Sequence, residues 1–285
     1  MKKPFKLVLF LVVTFFTASI FAQSKNQHSS VLWKVSGHGL SKPSYLFGTI
    51  HMVCAADFTM WPKAKTAFEQ TNQLALEINM SDPQEMQEAQ KLAMGSQPLS
   101  QVLSADQKKK LEAILQKNAL GSLAQYDAFT LETIMSLVFM KSFGCADLKF
   151  YEMEFISMAA QSQKPVVGLE KVSEQIDILN QSFTDDQMMA YLDEISPKMC
   201  ADLVQEYKSE DIDGVLKLIA DDDSIDAEAQ KKLLHNRNEH WVKVMPAMMQ
   251  KQSVFFAFGA AHLGGSQGVI ALLRQAGYHV QPVLN

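Results

Sequence analysis

Two stretches of this chain share one pattern: Tyr45-Leu46-Phe47-Gly48-Thr49-Ile50-His51 and, far along the sequence, Phe255-Phe256-Ala257-Phe258-Gly259-Ala260-Ala261-His262. Each is a short apolar run ending in Gly-x-x-His. A run of this length bounded by glycine reads as a buried strand, and the glycine lets the backbone turn sharply at its end. The histidine then emerges just past the strand, where open α/β sheets place their ligands. Two such histidines from distant parts of the chain could converge on one site, and the rest of the sequence decides whether they do.

The intervening sequence supplies more strands of the same kind. Val31 to Val35 and Ser44 to Phe47, separated by Gly37-His38-Gly39, read as a hairpin. Leu74 to Ile78 is an apolar strand carrying Glu77 near its end, and Val166-Val167-Gly168-Leu169 is a buried strand with Glu170 at its end. Between them the pattern is helical. A helix starts at Trp61-Pro62 and runs through about Asn72. Asp82-Pro83-Gln84-Glu85 caps a second helix, Ser104 to Gln107 caps a third, and Phe129–Met140 is a buried helix. Ala146–Gln161 reads as one further helix after a break at Gly144. A second helical block runs from Ser173 to Gln250, with caps at Thr184, Asp211 and Asp226, and Pro246 should end or kink its last helix. Its acidic loop Asp221-Asp222-Asp223 lacks the alternating ligands of a calcium loop and reads as a solvated turn. Gly264-Gly265-Ser266 opens a helix over Gln267–Ala276, closed by Gly277 and followed by the strand Tyr278-His279-Val280. That strand–helix–strand unit predicts a parallel end to the sheet. The expected architecture is α/β: a small mixed, partly parallel central sheet with large helical insertions at about 82–163 and 173–250, in one domain spanning 31–285.

The beginning of the chain is a different kind of sequence. Lys2, Lys3 and Lys6 precede an almost wholly apolar Leu7 to Phe16, and small residues follow to Ala22. This is the pattern of a secretory signal over residues 1–22, short for an uncleaved membrane span. It predicts a secreted or periplasmic protein with no stable membrane insertion after cleavage. The formal charge is −5, and the absence of a basic stripe excludes nucleic acid as a partner. Three cysteines, Cys54, Cys145 and Cys200, are an odd number for an oxidising compartment. Three pairings exist. A Cys145–Cys200 bridge would leave Cys54 free near His51, as a buried small residue or a nucleophile.

Four strand ends carry chemistry-bearing residues: His51, Glu77, Glu170 and His262. If their strands are parallel neighbours, all four face one edge. Two histidines with one or two carboxylates form a familiar set of divalent-metal ligands; the same residues serve a metal-free hydrolase with His51 as base and Glu77 orienting it. A histidine after a strand is often a turn residue, but the matched pair argues for function. Glu77 interrupts an apolar strand and therefore needs a partner. Glu170 reads equally as a lead into the next helix. Arg237 is either a surface charge or a group reaching in to hold a carboxylate or an oxyanion. Gly264-Gly265-Ser266 could offer backbone N–H groups to an anion. His38, His235, His240 and His279 read as structural, and the methionine-rich helices as core or groove lining.

Taken in order, Leu32-Trp33-Lys34-Val35, the first Gly-x-x-His, Leu76-Glu77, Lys164 to Glu170 with Gln175, Arg237-Asn238 with Trp241, and Gly259 to Gly265 resemble the TraB/PrgY/GumN family, which includes the Tiki proteases. The resemblance implies a fold related to erythromycin esterases and to haem-binding ChaN-type proteins, and a divalent metal ion (Mn, Co or Zn) supporting hydrolysis of a peptide or small-molecule substrate. It carries His51, Glu77 and His262 over as metal or active-site residues, with Glu170 and Arg237 at further motif positions. Gly144-Cys145-Ala146-Asp147 departs by one residue from the Gly-x-Asp expected there, so Asp147 receives no role. A metal-free esterase-like hydrolase and a non-enzymatic protein binding a peptide signal or haem are the alternatives.

Overall fold

The structure is a computed structural model, which describes residues 29–220 and 225–284. The secretory signal and the acidic loop Asp221–Asp223 lie outside the described residues. Eight strands form: β1 (Leu32–Ser36), β2 (Ser44–Thr49), β3 (Met52–Cys54), β4 (Gln73–Ile78), β5 (Leu148–Phe150), β6 (Val166–Glu170), β7 (Val254–Gly259) and β8 (His279–Pro282). Six of them make one sheet in the order β6-β4-β7-β2-β1-β8. The first four in that order are mutually parallel, so the strands preceding Glu170, Glu77, His262 and His51 all end at one edge.

Burial explains the sequence of these strands. Every residue of β2 and of β7 is buried, as befits central parallel strands covered on both faces, which read as continuous apolar runs. Phe47, Phe68, Phe155 and Phe255 pack against one another beneath them. The two Gly-x-x-His turns also touch. A Cβ at Gly48 would lie 2.7 Å from Leu263 Cδ1 and 2.9 Å from Ala260 Cα. The first motif therefore needs its glycine so that the second can pack onto it.

The expected hairpin is present, with Leu32 opposite Phe47. The parallel end is not. β8 runs in the same direction as β7, but it lands beyond β2 and β1 and bonds antiparallel to β1. The strand–helix–strand pattern fixed direction and not landing place. β6 is an edge strand with half-buried valines rather than a buried one.

Two further departures matter for the site. Residues 148–150 form β5, which pairs with β3 as a separate two-stranded ribbon, and the helix starts only at Tyr151. Three residues are too few to show a strand period. The last long helix, Asn236–Lys251, runs through Pro246 and is entered by a π-helical turn at Lys231–His235.

The two helical excursions meet. Leu111, Ile114 and Leu115 from the first share a second hydrophobic core with Met188, Met189 and Leu192 from the second. Most buried methionines fill cores in this way. The described residues contain no helix long and apolar enough to cross a membrane.

Candidate active site

The four strand ends deliver one connected polar cluster. Glu77, near the end of β4, is buried at 9% side-chain exposure. Its Oε1 accepts the backbone N–H of Gly259 at 2.7 Å. Its Oε2 accepts from Arg237 Nη2 at 2.6 Å and from Gln175 Nε2 at 2.9 Å. Burial alone would raise the pKa of this carboxyl, but Arg237, His51, His262 and the Gly259 N–H outweigh it and hold it well below the usual carboxylate range.

Arg237 comes from the first turn of the helix Asn236–Lys251 and is itself buried. Its Nε donates to Glu170 Oε1 at 2.9 Å, and its Nη1 donates to the Leu233 carbonyl at 3.1 Å and to His262 Nε2 at 3.2 Å. Trp241, one turn on, lies beneath the guanidinium at 4.9 Å and donates its Nε1–H to Glu170 Oε1 at 2.6 Å. Glu170 is therefore a buried counter-ion, and Arg237 reaches in to hold two carboxylates at once.

The histidines differ. His262 sits in a buried 3-10 turn. Asn238 Nδ2 donates to the Gln267 carbonyl at 2.8 Å, which turns the amide Oδ1 toward His262 Nδ1 at 2.6 Å. Since an arginine only donates, His262 Nε2 is an acceptor, and the ring is the neutral Nδ1–H tautomer. Burial, the Arg237 cation and His51 lower its pKa to about 3 against the opposing pull of Glu77.

His51 is half exposed, at 53% of its side chain. Its backbone is left-handed, φ +58°, uncommon for a residue with a Cβ. Nδ1 lies 2.9 Å from Glu152 Oε1, and Nε2 faces Glu77 Oε1 at 3.9 Å. Its packed surroundings act to lower the pKa and Arg237 adds to that, but the charge and hydrogen bond of Glu152, with Glu77, raise it to about 9. Thr49 Oγ1 also donates to Glu152, at 2.7 Å.

The groups face a common gap. A Cβ added to Gly259 would lie 3.2 Å from His51 Nε2, 3.4 Å from Glu77 Oε1 and 3.6 Å from His262 Cδ2. The glycine thus leaves open the space on which three of the strand-end residues converge. A groove of about 380 Å³ adjoins the cluster, lined in part by Glu170, Arg237, Glu174 and Asp177.

His51, Glu77, Glu170, Arg237 and His262 are all brought together. Glu152 was not foreseen; it opens the helix after β5, where the sequence reads as the interior of a longer helix. Cys54 is bonded to Cys145 and Cys200 is the free, buried cysteine. This pairing differs from the Cys145–Cys200 bridge considered above and removes the Cys54 nucleophile, because a disulfide sulfur has no thiolate to attack with. Asp147 contributes its backbone carbonyl to Ala55 N–H at 2.9 Å.

A divalent ion is tested by the donors present. Both oxygens of Glu77 accept N–H groups, His262 has both ring nitrogens engaged, and the Arg237 cation stands between them. Among the described residues no group of three or more His, Cys, Asp or Glu side chains could hold a metal ion. As arranged, the cluster does not fit a metal.

The parallel strands of this mixed α/β sheet thus bring two buried carboxylates, an arginine and two histidines to one edge. Residues 31–282 match the TraB/PrgY/gumN family, and the chain belongs to it. It is similar to Metalloprotease TIKI2 of Xenopus tropicalis, 24% identical over 91% of this chain and 61% of that protein. Metalloprotease TIKI1 of the same species is 25% identical, and that of Homo sapiens 23%, each over 90% of this chain and 62% of the relative. The chain thus spans about three fifths of the length of these relatives. No solved structure matches it.

Proposed function

We propose that this chain is a hydrolase that cleaves a peptide bond at the gap beside Gly259, with His51 as the group that moves the proton. The observation that carries this is the convergence of His51, Glu77 and His262 on the space a Cβ of Gly259 would fill. His51 Nε2 has no hydrogen-bond partner among the described residues and is the ring nitrogen nearest that gap. In its neutral form it takes a proton from the attacking water and returns it to the leaving amine. Glu152 stabilises the imidazolium between those steps, as the carboxylate of a catalytic triad does. The same pairing raises the resting pKa to about 9, so the rate rises with pH toward that value. Arg237 keeps Glu77 ionised and is the fixed positive charge for a developing oxyanion. A disulfide at Cys54–Cys145 and the secretory pattern at the start of the chain support a secreted or periplasmic location.

The names of the relatives favour a second reading, in which a divalent ion (Mn, Co or Zn) supplies a Lewis acid. The two are separated by assaying a quenched fluorescent peptide library with and without a strong chelator. Chelator-resistant cleavage that falls about 10²–10⁴-fold in His51→Ala is the expected result. Cleavage abolished by chelator and restored by added Mn²⁺ or Co²⁺ would establish the metal-dependent reading instead. Peptide binding without turnover by the wild type would make the protein a binder.

A further inference from the structure

His51 and Glu152 are 101 residues apart yet share a hydrogen bond. What joins them is the ribbon β3–β5. β3 leaves directly from His51, and β5 leads directly into Tyr151 and Glu152. The antiparallel register pairs Met52 with Phe150, Val53 with Lys149 and Cys54 with Leu148. One step further the ladder places His51 opposite Tyr151, and Tyr151 N–H donates to the His51 carbonyl at 2.9 Å. The next residue, Glu152, turns its carboxylate back onto His51 Nδ1 and onto the Thr49 hydroxyl, which in turn accepts the His51 backbone N–H at 3.2 Å. The far end is closed covalently by Cys54–Cys145 and by Ala55 N–H to the Asp147 carbonyl. A two-stranded ribbon of three pairs is marginal by itself in water, and this one is cross-linked where it would otherwise fray.

We propose that Glu152 is the positioning residue of His51 and that the disulfide-closed ribbon β3–β5 is the element that holds the two in register. What His51 does rests on the hydrolase reading; where it stands does not. Glu152 receives Nδ1–H and so aims Nε2 at the gap beside Gly259. No other side chain among the described residues bonds the ring: Glu77 is 3.9 Å away, beyond hydrogen-bond distance. A half-exposed imidazole released from Glu152 has other rotamers open to it. The ribbon contributes by bringing two strand ends with 101 residues between them to the same point.

The test combines kinetics with a readout that needs no substrate. Glu152→Ala should lower kcat about 100-fold at nearly constant KM, as misplacing a reacting group does. Glu152→Gln keeps an oxygen that accepts from Nδ1–H but loses the charge that stabilises the imidazolium, so it should hold the ring in place while kcat stays well below that of the wild type. Cys54→Ser/Cys145→Ser should lower kcat in the same direction, and adding Glu152→Ala to it should cost less than Glu152→Ala alone, because both act through His51. Additive losses would overturn the proposal. Crystal structures of Glu152→Ala and Glu152→Gln read the His51 rotamer directly: a ring displaced only in the alanine variant supports it, and a ring unmoved in both overturns it. That second readout stands even if the wild type cleaves no peptide. If the serine variant fails to fold, which its melting curve reports, the two Glu152 variants decide the question.

Discussion

The two Gly-x-x-His motifs are the same four-residue pattern on adjacent parallel strands, and the fold gives them opposite chemistry. After β7 the residues Ala260 and Ala261 are small, and the chain folds down onto Gly48 in a tight turn that buries His262. After β2 the chain instead takes a left-handed step at His51 and continues into β3, leaving the ring half in solvent. One histidine then meets a guanidinium and an amide oxygen, the other a carboxylate. Burial and Arg237 keep the first neutral, with its pKa lowered to about 3, while Glu152 favours the cation on the second, at about 9. A motif of this kind specifies where a side chain arrives. Its charge state is set by what the rest of the chain brings to meet it.

Arg237 is the residue on which that contrast depends most, so Arg237→Met should have the largest effect. It leaves Glu77 and Glu170 buried without their cation, and urea denaturation should show a loss of about 3–5 kcal/mol. In the folded fraction an NMR titration should find the His262 pKa risen toward its ordinary value, though still held down by burial. An unchanged His262 pKa would mean that burial, and not Arg237, keeps this histidine neutral.

A smaller effect follows from the neutral His262. The unfolded chain takes up a proton at this residue near pH 6.5, while the folded protein does so only near pH 3. The contribution is complete above the upper value and is lost progressively as pH falls between the two, at about 1.4 kcal/mol per pH unit at most. Glu77, with its pKa below the usual carboxylate range, adds a further loss that sets in as pH falls through its ordinary value of 4.5. His262→Gln should flatten the slope of stability between pH 6 and about pH 4. A slope identical to that of the wild type would show that His262 does not stay neutral in the fold.

The sequence made the parallel half of the sheet legible because its strands, fully buried in β2 and β7 and largely so in β4, announce themselves as short apolar runs. Glu77 was legible for the converse reason: a carboxylate inside such a run has to be paired. Arg237 could be read as a group reaching toward a carboxylate, but not which one; it takes two. Two features were out of reach. β3 and β5 are three residues each, too short for a period, and with them went Glu152 and the true disulfide. The landing place of β8 was also hidden, because a crossover helix constrains direction and says nothing of how many strands it passes.

The smallest expected effects come from making one substitution in both motifs. Gly48→Ala would push a Cβ to 2.7 Å from Leu263 Cδ1 and 2.9 Å from the Ala260 backbone. That backbone has to move, so the cost should be about 1–3 kcal/mol. Gly259 has φ −52° and ψ 132°, a conformation any residue adopts. Its added Cβ would meet first the Nε2 of His51, at 3.2 Å, a ring that is half exposed and able to yield. Gly259→Ala should therefore cost less than about 1 kcal/mol in stability, while placing a methyl group in the gap on which His51, Glu77 and His262 converge. Thermal melts and peptide cleavage measured side by side separate the cases. Gly48→Ala should lose stability and retain the specific activity of its folded fraction; Gly259→Ala should melt like the wild type and lose turnover. If Gly259→Ala keeps full turnover, the gap is not where the substrate reacts, and the two motifs differ only in how they pack.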